Sequence, residues 1–487
     1  MKNFYITTTL PYVNAEPHIG FAMELIRADI IARAKRLQGY EVFFNTGTDE
    51  HGSKIYKIAI EKRISPQEYV DGISQVFAKL ATTLNVATDV PGITYNFVRT
   101  TDVRHQASAQ AFWQRCVEAG DIYKKNYSIK YCVGCELEKT ESELVDGKCP
   151  LHPNLEIEIR EEENYFFRFS KYQAYLLDVY AHNPQFVIPP SRGVEIRTFV
   201  EGGLQDFSIS RLTSKMPWGV PVPGDPEQTM YVWFDALVNY ISVIGWPDNL
   251  ETFDIWWKQT GGAVQYAGKD NLRQQTAMWQ AMLASAGLPP SKQVVINGFI
   301  NAEGGVKMSK SLGNTVNPFD IVGEYGVDAL RYFMAREISS FEDGVFTIEK
   351  FKDAYNANLA NGLGNLVARI MRMAEGLKLE EGSLKLGEER SDSEDYVNRL
   401  LDVFEINKAC DYVWHEIGEM DKYIQENQPF KVVKTDPEAG KQMISQLVVR
   451  LYTVARMLNP ILPVTSDKIK EAIKKNMMPE TLFPRKD

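Results

Sequence analysis

Two lysines three residues apart stand in the run Lys307-Met308-Ser309-Lys310-Ser311-Leu312-Gly313-Asn314, with Gly304, Gly305 and Gly313 around them. Two mobile ammonium groups on a glycine-flanked polar loop suit the gripping of a polyphosphate while its charge redistributes. Far upstream, Pro17-His18-Ile19-Gly20 sits where a first strand should turn into a first helix. Free N–H groups and the helix dipole favour phosphate there. His18 can donate to charge developing on an α-phosphate, and Gly20 lets a flat base approach the backbone. A histidine at a helix start also serves as a plain cap. A third group, Cys132-x2-Cys135 and Cys149-x2-His152, has the spacing of two zinc knuckles. Four protein ligands leave no open position, so the Zn2+ they imply is structural. Its loss should loosen the segment rather than remove chemistry directly.

These groups need elements to hold them. Phe4 to Thr8 reads as a buried strand. Apolar residues then recur at 19, 23, 26, 30, 34 and 37, one face of a helix that Gly39 ends. Glu41 to Thr46 reads as a second strand. Strand, helix and strand with a functional loop after the first strand open a doubly wound α/β sheet. Residues 116–225 break that pattern and read as an insertion. The pattern returns at Met230 to Phe234, Gln265 to Ala267 and Val294 to Ile296. From about Ile348 the chain reads as helices (Phe351 to Met373, Ser393 to Asn427, Gly440 to Leu458), an α-bundle domain.

Bulk properties set limits. A chain of 487 residues should hold two to four domains. No apolar run approaches the ~18 residues of a membrane span. The first residues lead straight into a strand without a signal sequence, so a cytoplasmic location is expected. A net charge of -10 argues against a nucleic-acid partner, yet residues 431–487 carry 11 Lys+Arg against 6 Asp+Glu. A local basic face of that kind suits one structured RNA, or simply a solvated helix face. Cys116 and Cys410 are isolated and read as small apolar core residues.

The His18 and Lys307–Lys310 segments together resemble the paired nucleotide-binding signatures of class I aminoacyl-tRNA synthetases. Much of the chain resembles the methionyl-tRNA synthetases of the short bacterial form with one zinc knuckle. The resemblance implies a Rossmann-type catalytic domain split by a zinc-knuckle insertion, followed by an all-α anticodon-binding bundle. The catalytic halves would be 1–115 and 226–323, the insertion 116–225, a stem-contact linker 324–347 and the bundle 348–487. The implied activity is ATP-dependent activation of methionine and its transfer to tRNA(Met), with Mg2+ accompanying ATP and one structural Zn2+. His18, Lys307 and Lys310 would be catalytic, and His18, Gly20, Gly268, Asp270, Lys307 and Lys310 would bind ATP. Leu10, Tyr12, Asp49, Trp233, Tyr240 and Gln275 would form the amino-acid pocket, with Asp49 holding the ammonium group and Arg211 nearby. Cys132, Cys135, Cys149 and His152 would hold the metal. Asn365, Arg369 and Phe430 would read the anticodon. A monomer without membrane association is expected.

Some positions depart from the family. Phe21 replaces a histidine, which could cost ~3 kcal/mol, or ~10²-fold in rate. Leu237 replaces a usual proline. Asn271, Gln274, Gln275 and Met278 fall on one helical face where the family is mostly apolar or aromatic, with a histidine at the position of Gln275. An unpaired buried amide there costs ~1–3 kcal/mol. The amides either pair with each other or serve a more polar substrate. The alternatives are a paralogue of changed amino-acid choice or inhibitor sensitivity, and a non-catalytic tRNA-binding or amino-acid-sensing protein.

Overall fold

The computed structural model describes residues 2–132, 137–139, 144–150, 152–306, 308, 315–377, 386 and 390–487. Lys307, Lys310 and Cys135 lie outside these residues. β1 (Lys2–Thr7) buries Phe4, Tyr5 and Ile6, the continuous apolar run that a parallel strand covered on both faces requires. α1 (Ile19–Leu37) buries Ile19, Met23, Ile26, Ile30 and Ala34 as the periodicity predicts; Leu37 stays exposed. It also buries Glu24, Arg27, Asp29 and Arg33, so the helix is enclosed on more than one side. β2 (Tyr40–Thr48) and β3 (Ile93–Arg99) follow, parallel, with Phe4 opposite Val42 and Phe44 opposite Tyr95.

The excursion from this fold is an antiparallel sheet of β4 (Ile122–Cys132), β5 (Leu137–Lys139), β6 (Ile157–Phe167) and, beyond β7, β8 (Phe207–Ser208). β7 (Val187–Ile188) corrects the expected insertion of 116–225, because it pairs with the catalytic sheet. Two residues are too short a run for period-based reading to find. β9 (Ser210–Leu212), β10 (Pro221–Val222) and β11 (Asp225–Met230) form a second antiparallel sheet. Met230 to Phe234 is therefore no strand of the parallel sheet; β11 ends at Met230 and a helix starts at Val232. A short apolar run fits either element, and here packing decides.

β12 (Val264–Gly268) and β13 (Gln293–Asn297) complete the parallel sheet in the order β3-β2-β1-β12-β13-β7. Chain direction across the sheet reverses between β1 and β12. The loops after these two strands diverge there and leave a crevice at their carboxyl ends.

The C-terminal part is helical. Ile348–Ala354, a π-helical stretch Tyr355–Gly364 and Asn365–Gly376 run on without a break. The helix expected over Ser393 to Asn427 is two, Asp392–Asp402 and Ile406–Asn427, broken where Phe404 takes φ 63°. Pro429–Thr435, Pro437–Leu458 and Pro463–Lys475 follow. Each starts with proline in its first turn, where the missing N–H is not needed. A buried charge network ties this bundle to α1. Asp29 accepts from Arg33 at 2.9 Å and pairs with Arg331 at 2.6 Å, while Arg331 donates to the carbonyls of Ile461 and Pro460. Arg27 donates to Asn297 Oδ1 and to the carbonyls of Met334, Ile338, Ser339 and Ser340. Among the described residues no helix is long and apolar enough to cross a membrane.

Candidate active site and metal centre

The crevice at the β1/β12 switch point is a cavity of about 430 Å³. Its walls include Leu10, Tyr12, His18, Gly20, Asp49, Trp233, Tyr240, Gly268, Asp270 and Gln275, which are all the predicted catalytic, ATP and amino-acid residues within the described chain. Met308, between the two lysines in sequence, is buried in the same wall.

His18 caps α1. Its Nδ1 accepts the Gly20 N–H at 3.1 Å. A Cβ on Gly20 would lie 2.9 Å from the imidazole Cε1, so glycine is what lets the ring fold back over the helix start. At the other side of the crevice, a Cβ on Gly268 would lie 2.7 Å from Asp270 Oδ1. The turn Lys269–Asn271 opens without a side-chain cap, so Asp270 is not spent on N-capping and stays exposed.

Asp49 is fixed by its backbone: its N–H donates to the Pro11 carbonyl at 2.9 Å and its carbonyl accepts from Val13 N–H at 3.1 Å. Asp49 is 5% exposed, and its Oδ1 has no hydrogen-bond partner among the described residues. Burial, then the nearby Asp235, push its pKa well above the usual carboxylate range. A buried carboxyl in the wall of a cavity suits a cationic group. Trp233 is 41% exposed and stands edge-on to Tyr231, with Arg211 stacked 4.7 Å from the Tyr231 ring. Arg211 is therefore one ring removed from the cavity wall.

The departures fall as follows. Phe21 lines the cavity and packs edge-on against Phe77, ring centres 5.2 Å apart, filling apolar space where an imidazole was expected. Leu237, Asn271 and Gln274 also line it, whereas Met278 turns away into the aromatic core beside the sheet, a correction to the expected shared face. The reason is a π-helical turn over Gln274–Met278, which shifts the angular register within one turn. Gln275 is not an unpaired amide. Its Nε2 donates to Tyr240 Oη at 2.8 Å, and its Oε1 accepts from Gln265 Nε2 at 3.0 Å. Gln274 Oε1 is buried without a partner among the described residues.

Sequence reasoning missed Glu24. It lines the cavity and accepts from Thr9 N–H at 2.8 Å and Thr9 Oγ1–H at 2.6 Å. Burial pushes its pKa up to about 7 against these donors, with Asp270 adding to the rise. Its signal was a carboxylate inside the apolar run Ala22-Met23-Glu24-Leu25-Ile26.

In the insertion, Cys132, Cys149 and His152 place one ligand atom each within 4.8 Å of one another. Cys132 Sγ and Cys149 Sγ lie 3.7 and 3.9 Å from His152 Nδ1. Metal–ligand bonds of ~2.0–2.3 Å set tetrahedral edges of about 3.3–3.8 Å, so these donors fit one small tetrahedral ion. In the bundle, Asn365 is exposed and Arg369 pairs with Asp421, while Phe430 is 42% exposed. Both cysteines outside the cluster are buried, and burial pushes the Cys116 thiol up to about 12.

A split parallel sheet with its crevice at the switch point and a histidine-capped first helix defines a class I aminoacyl-tRNA synthetase catalytic domain. The family described as "tRNA synthetases class I (M)" matches residues 4–156 and 143–371, and "Anticodon binding domain of methionyl tRNA ligase" matches 375–484. A methionine--tRNA ligase of Thermosynechococcus vestitus is 42% identical over 96% of this chain and 89% of its own length. That of Thermotoga maritima is 40% identical over 97% of this chain and 74% of its own. The solved methionyl-tRNA synthetase of Mycobacterium tuberculosis in complex with methionyl-adenylate superposes with a TM-score of 0.84 at 35% identity, covering 100% of this chain and 99% of that one. The chain belongs to the methionyl-tRNA synthetase family.

Proposed function

We infer that the protein activates methionine with ATP and transfers the product to tRNA. The observation that carries this most directly is the buried carboxyl of Asp49 in the cavity wall beside Leu10, Tyr12, Trp233, Leu237 and Tyr240. An anion ringed by aromatic and apolar side chains suits a zwitterion with an apolar tail. With the ammonium group on Asp49, the methionine carboxylate attacks the α-phosphorus of ATP in line and pyrophosphate leaves. His18 at the helix start stabilises charge on the α-phosphate, and Lys307 and Lys310 do the same for the departing pyrophosphate. Gly20 and Gly268 give the adenosine close backbone approach, and Asp270 takes ribose hydroxyls. Mg2+ arrives with ATP and neutralises phosphate charge. The 2′-hydroxyl of the terminal adenosine of tRNA then attacks the carbonyl carbon of the adenylate, the bond from that carbon to the phosphate oxygen breaks, and AMP leaves. The enzyme supplies position and electrostatics rather than a covalent nucleophile.

Cys132, Cys149 and His152, with Cys135, would hold Zn2+ and fix the insertion. Asn365, Arg369 and Phe430 would meet the anticodon, Phe430 by stacking. The protein acts as a cytoplasmic monomer; a stable dimer in light scattering would refute that part. The pairing of Gln275 with Gln265 and Tyr240 supports an apolar substrate side chain at that wall. ATP–pyrophosphate exchange with each of the twenty amino acids tests the reading. Exchange with methionine alone is expected. Exchange with another amino acid, or with none from folded protein, overturns it.

A further inference from the structure

Glu50 follows Asp49 directly, just past the end of β2, and its side chain is fully buried. Neither Glu50 nor its main partner, Arg99, lines the cavity, and nothing in the reaction above uses them. Arg99 ends the neighbouring β3 and meets the carboxylate with two donors: Nε to Oε1 at 2.8 Å and Nη2 to Oε2 at 2.9 Å. Thr48 Oγ1–H donates to Oε1 at 2.7 Å, and the Thr101 hydroxyl donates to Oε2. Arg99 Nη2 reaches on to Asp71 Oδ1 at 2.6 Å, on the helix Pro66–Thr83. The Glu50 main chain is held too. Its N–H donates to Thr100 Oγ1 at 2.9 Å, and its carbonyl accepts from Trp218 Nε1–H at 2.6 Å. A bidentate pair fixes direction as well as charge. The turn that carries Asp49 is therefore gripped, on its side away from the pocket, by residues outside the cavity wall.

Three buried carboxyls crowd this turn. Asp235 has His51 Nδ1 at 2.8 Å, and Glu50 has Arg99. Asp49 has no ion-pair partner among the described residues. Burial, then Asp235, oppose its ionised form, and Glu50 adds to them; the His51 backbone N–H favours it, and the Tyr12 phenol lies in the same field. We propose that Arg99 is a positioning residue for amino-acid activation, acting through Glu50 to fix the Asp49 carboxyl and to offset the negative charge beside it, so that Asp49 is set to receive the substrate ammonium group. The inference rests on the amino-acid pocket proposed above. A pair that only held the strand ends together would leave the titration of Asp49 where it was.

The acid limb of kcat/KM for methionine, measured by ATP–pyrophosphate exchange, reads the ionisation of Asp49 in the free enzyme. KM for ATP is the control on folding. Arg99→Gln leaves the Glu50 carboxylate without its counter-charge, and its limb should move up by about one pH unit. On the acid side this lowers kcat/KM for methionine about tenfold, while KM for ATP stays within about twofold. Glu50→Gln removes the opposing charge, so its limb should move down. The double variant of Arg99→Gln with Glu50→Gln carries neither charge, and its limb should return to the wild-type position or below it. An unmoved limb in Glu50→Gln, or in folded Arg99→Gln, overturns the proposal. So does a double variant whose limb lies above that of wild type. If Arg99→Gln does not fold, Glu50→Gln and the double variant decide. Absence of methionine exchange in wild type would instead sink the proposed function itself.

Discussion

Replacing Asp49 by asparagine removes a charge and keeps the shape. The carboxyl is buried, one oxygen has no partner among the described residues, and Asp235 repels its ionised form. Its pKa is raised, so below that raised value an incoming ammonium group, which favours the ionised form, releases a proton on binding. Affinity for methionine therefore rises with pH until the free carboxyl is ionised, and levels off above that point. The amide of the variant cannot supply the charge. A charge-assisted hydrogen bond of ~1.5–3 kcal/mol disappears, which lowers kcat/KM for methionine ~10- to 150-fold with little change in KM for ATP. Thermal stability without substrate should not fall, because the lost group is a buried carboxyl with an unmet oxygen. Titration calorimetry in two buffers of different ionisation enthalpy reads the proton release, and pyrophosphate exchange reads the rate. A methionine KM within twofold of wild type in Asp49→Asn, or binding without proton release in wild type, refutes the reasoning.

Phe21→His should speed adenylate formation in single turnover by up to ~10²-fold. It should also lose ~1 kcal/mol of stability, because it gives up the Phe77 contact; an unchanged rate would show that the site compensates for the missing imidazole. Stripping metal with a chelator, or Cys149→Ser, should raise amide exchange in β4 and β6, and unchanged protection there would count against a structural ion. Arg369→Ala should raise KM for tRNA while leaving methionine activation alone. Its partly exposed pair with Asp421 accounts for under ~1 kcal/mol of stability, so a large fall in melting temperature would point to a structural role instead. Glu24, with its pKa raised to about 7, contributes stability that is complete below its ordinary 4.5 and is lost as pH rises through 7. Urea midpoints of wild type should fall across that window, and those of Glu24→Gln should fall less.

The α/β start was legible because it rests on local signals: the apolar run Phe4–Ile6, the period from Ile19 and the break at Gly39. The cavity residues were legible where short motifs carry them, as at His18, Asp49 and Asp270. What stayed hidden depends on contacts far apart in sequence. β7 is too short to announce itself and exists because β13 pairs with it. The kink at Phe404 needs a left-handed backbone that its side chain does not advertise. Gln275 looked like an unpaired polar residue because its partners, Gln265 and Tyr240, lie on other elements. Glu24 drew no notice as one carboxylate within Ala22–Ile26, because its burial depends on packing between elements far apart in sequence.

The reversal of strand order between β1 and β12 also governs how the chain is made. β1 has β2 on one side within 40 residues, but its other neighbour begins at Val264. At ~5–20 residues per second, the ribosome delivers that partner about ten to fifty seconds after β1 has emerged. Through that interval the nascent chain carries an apolar, unpaired strand edge at what will become the middle of its sheet, the kind of edge that invites pairing with other chains. The crevice therefore coincides with a seam of the sheet that stays open until Val264 is made, and nascent chains stalled before that residue should be the ones that need a chaperone.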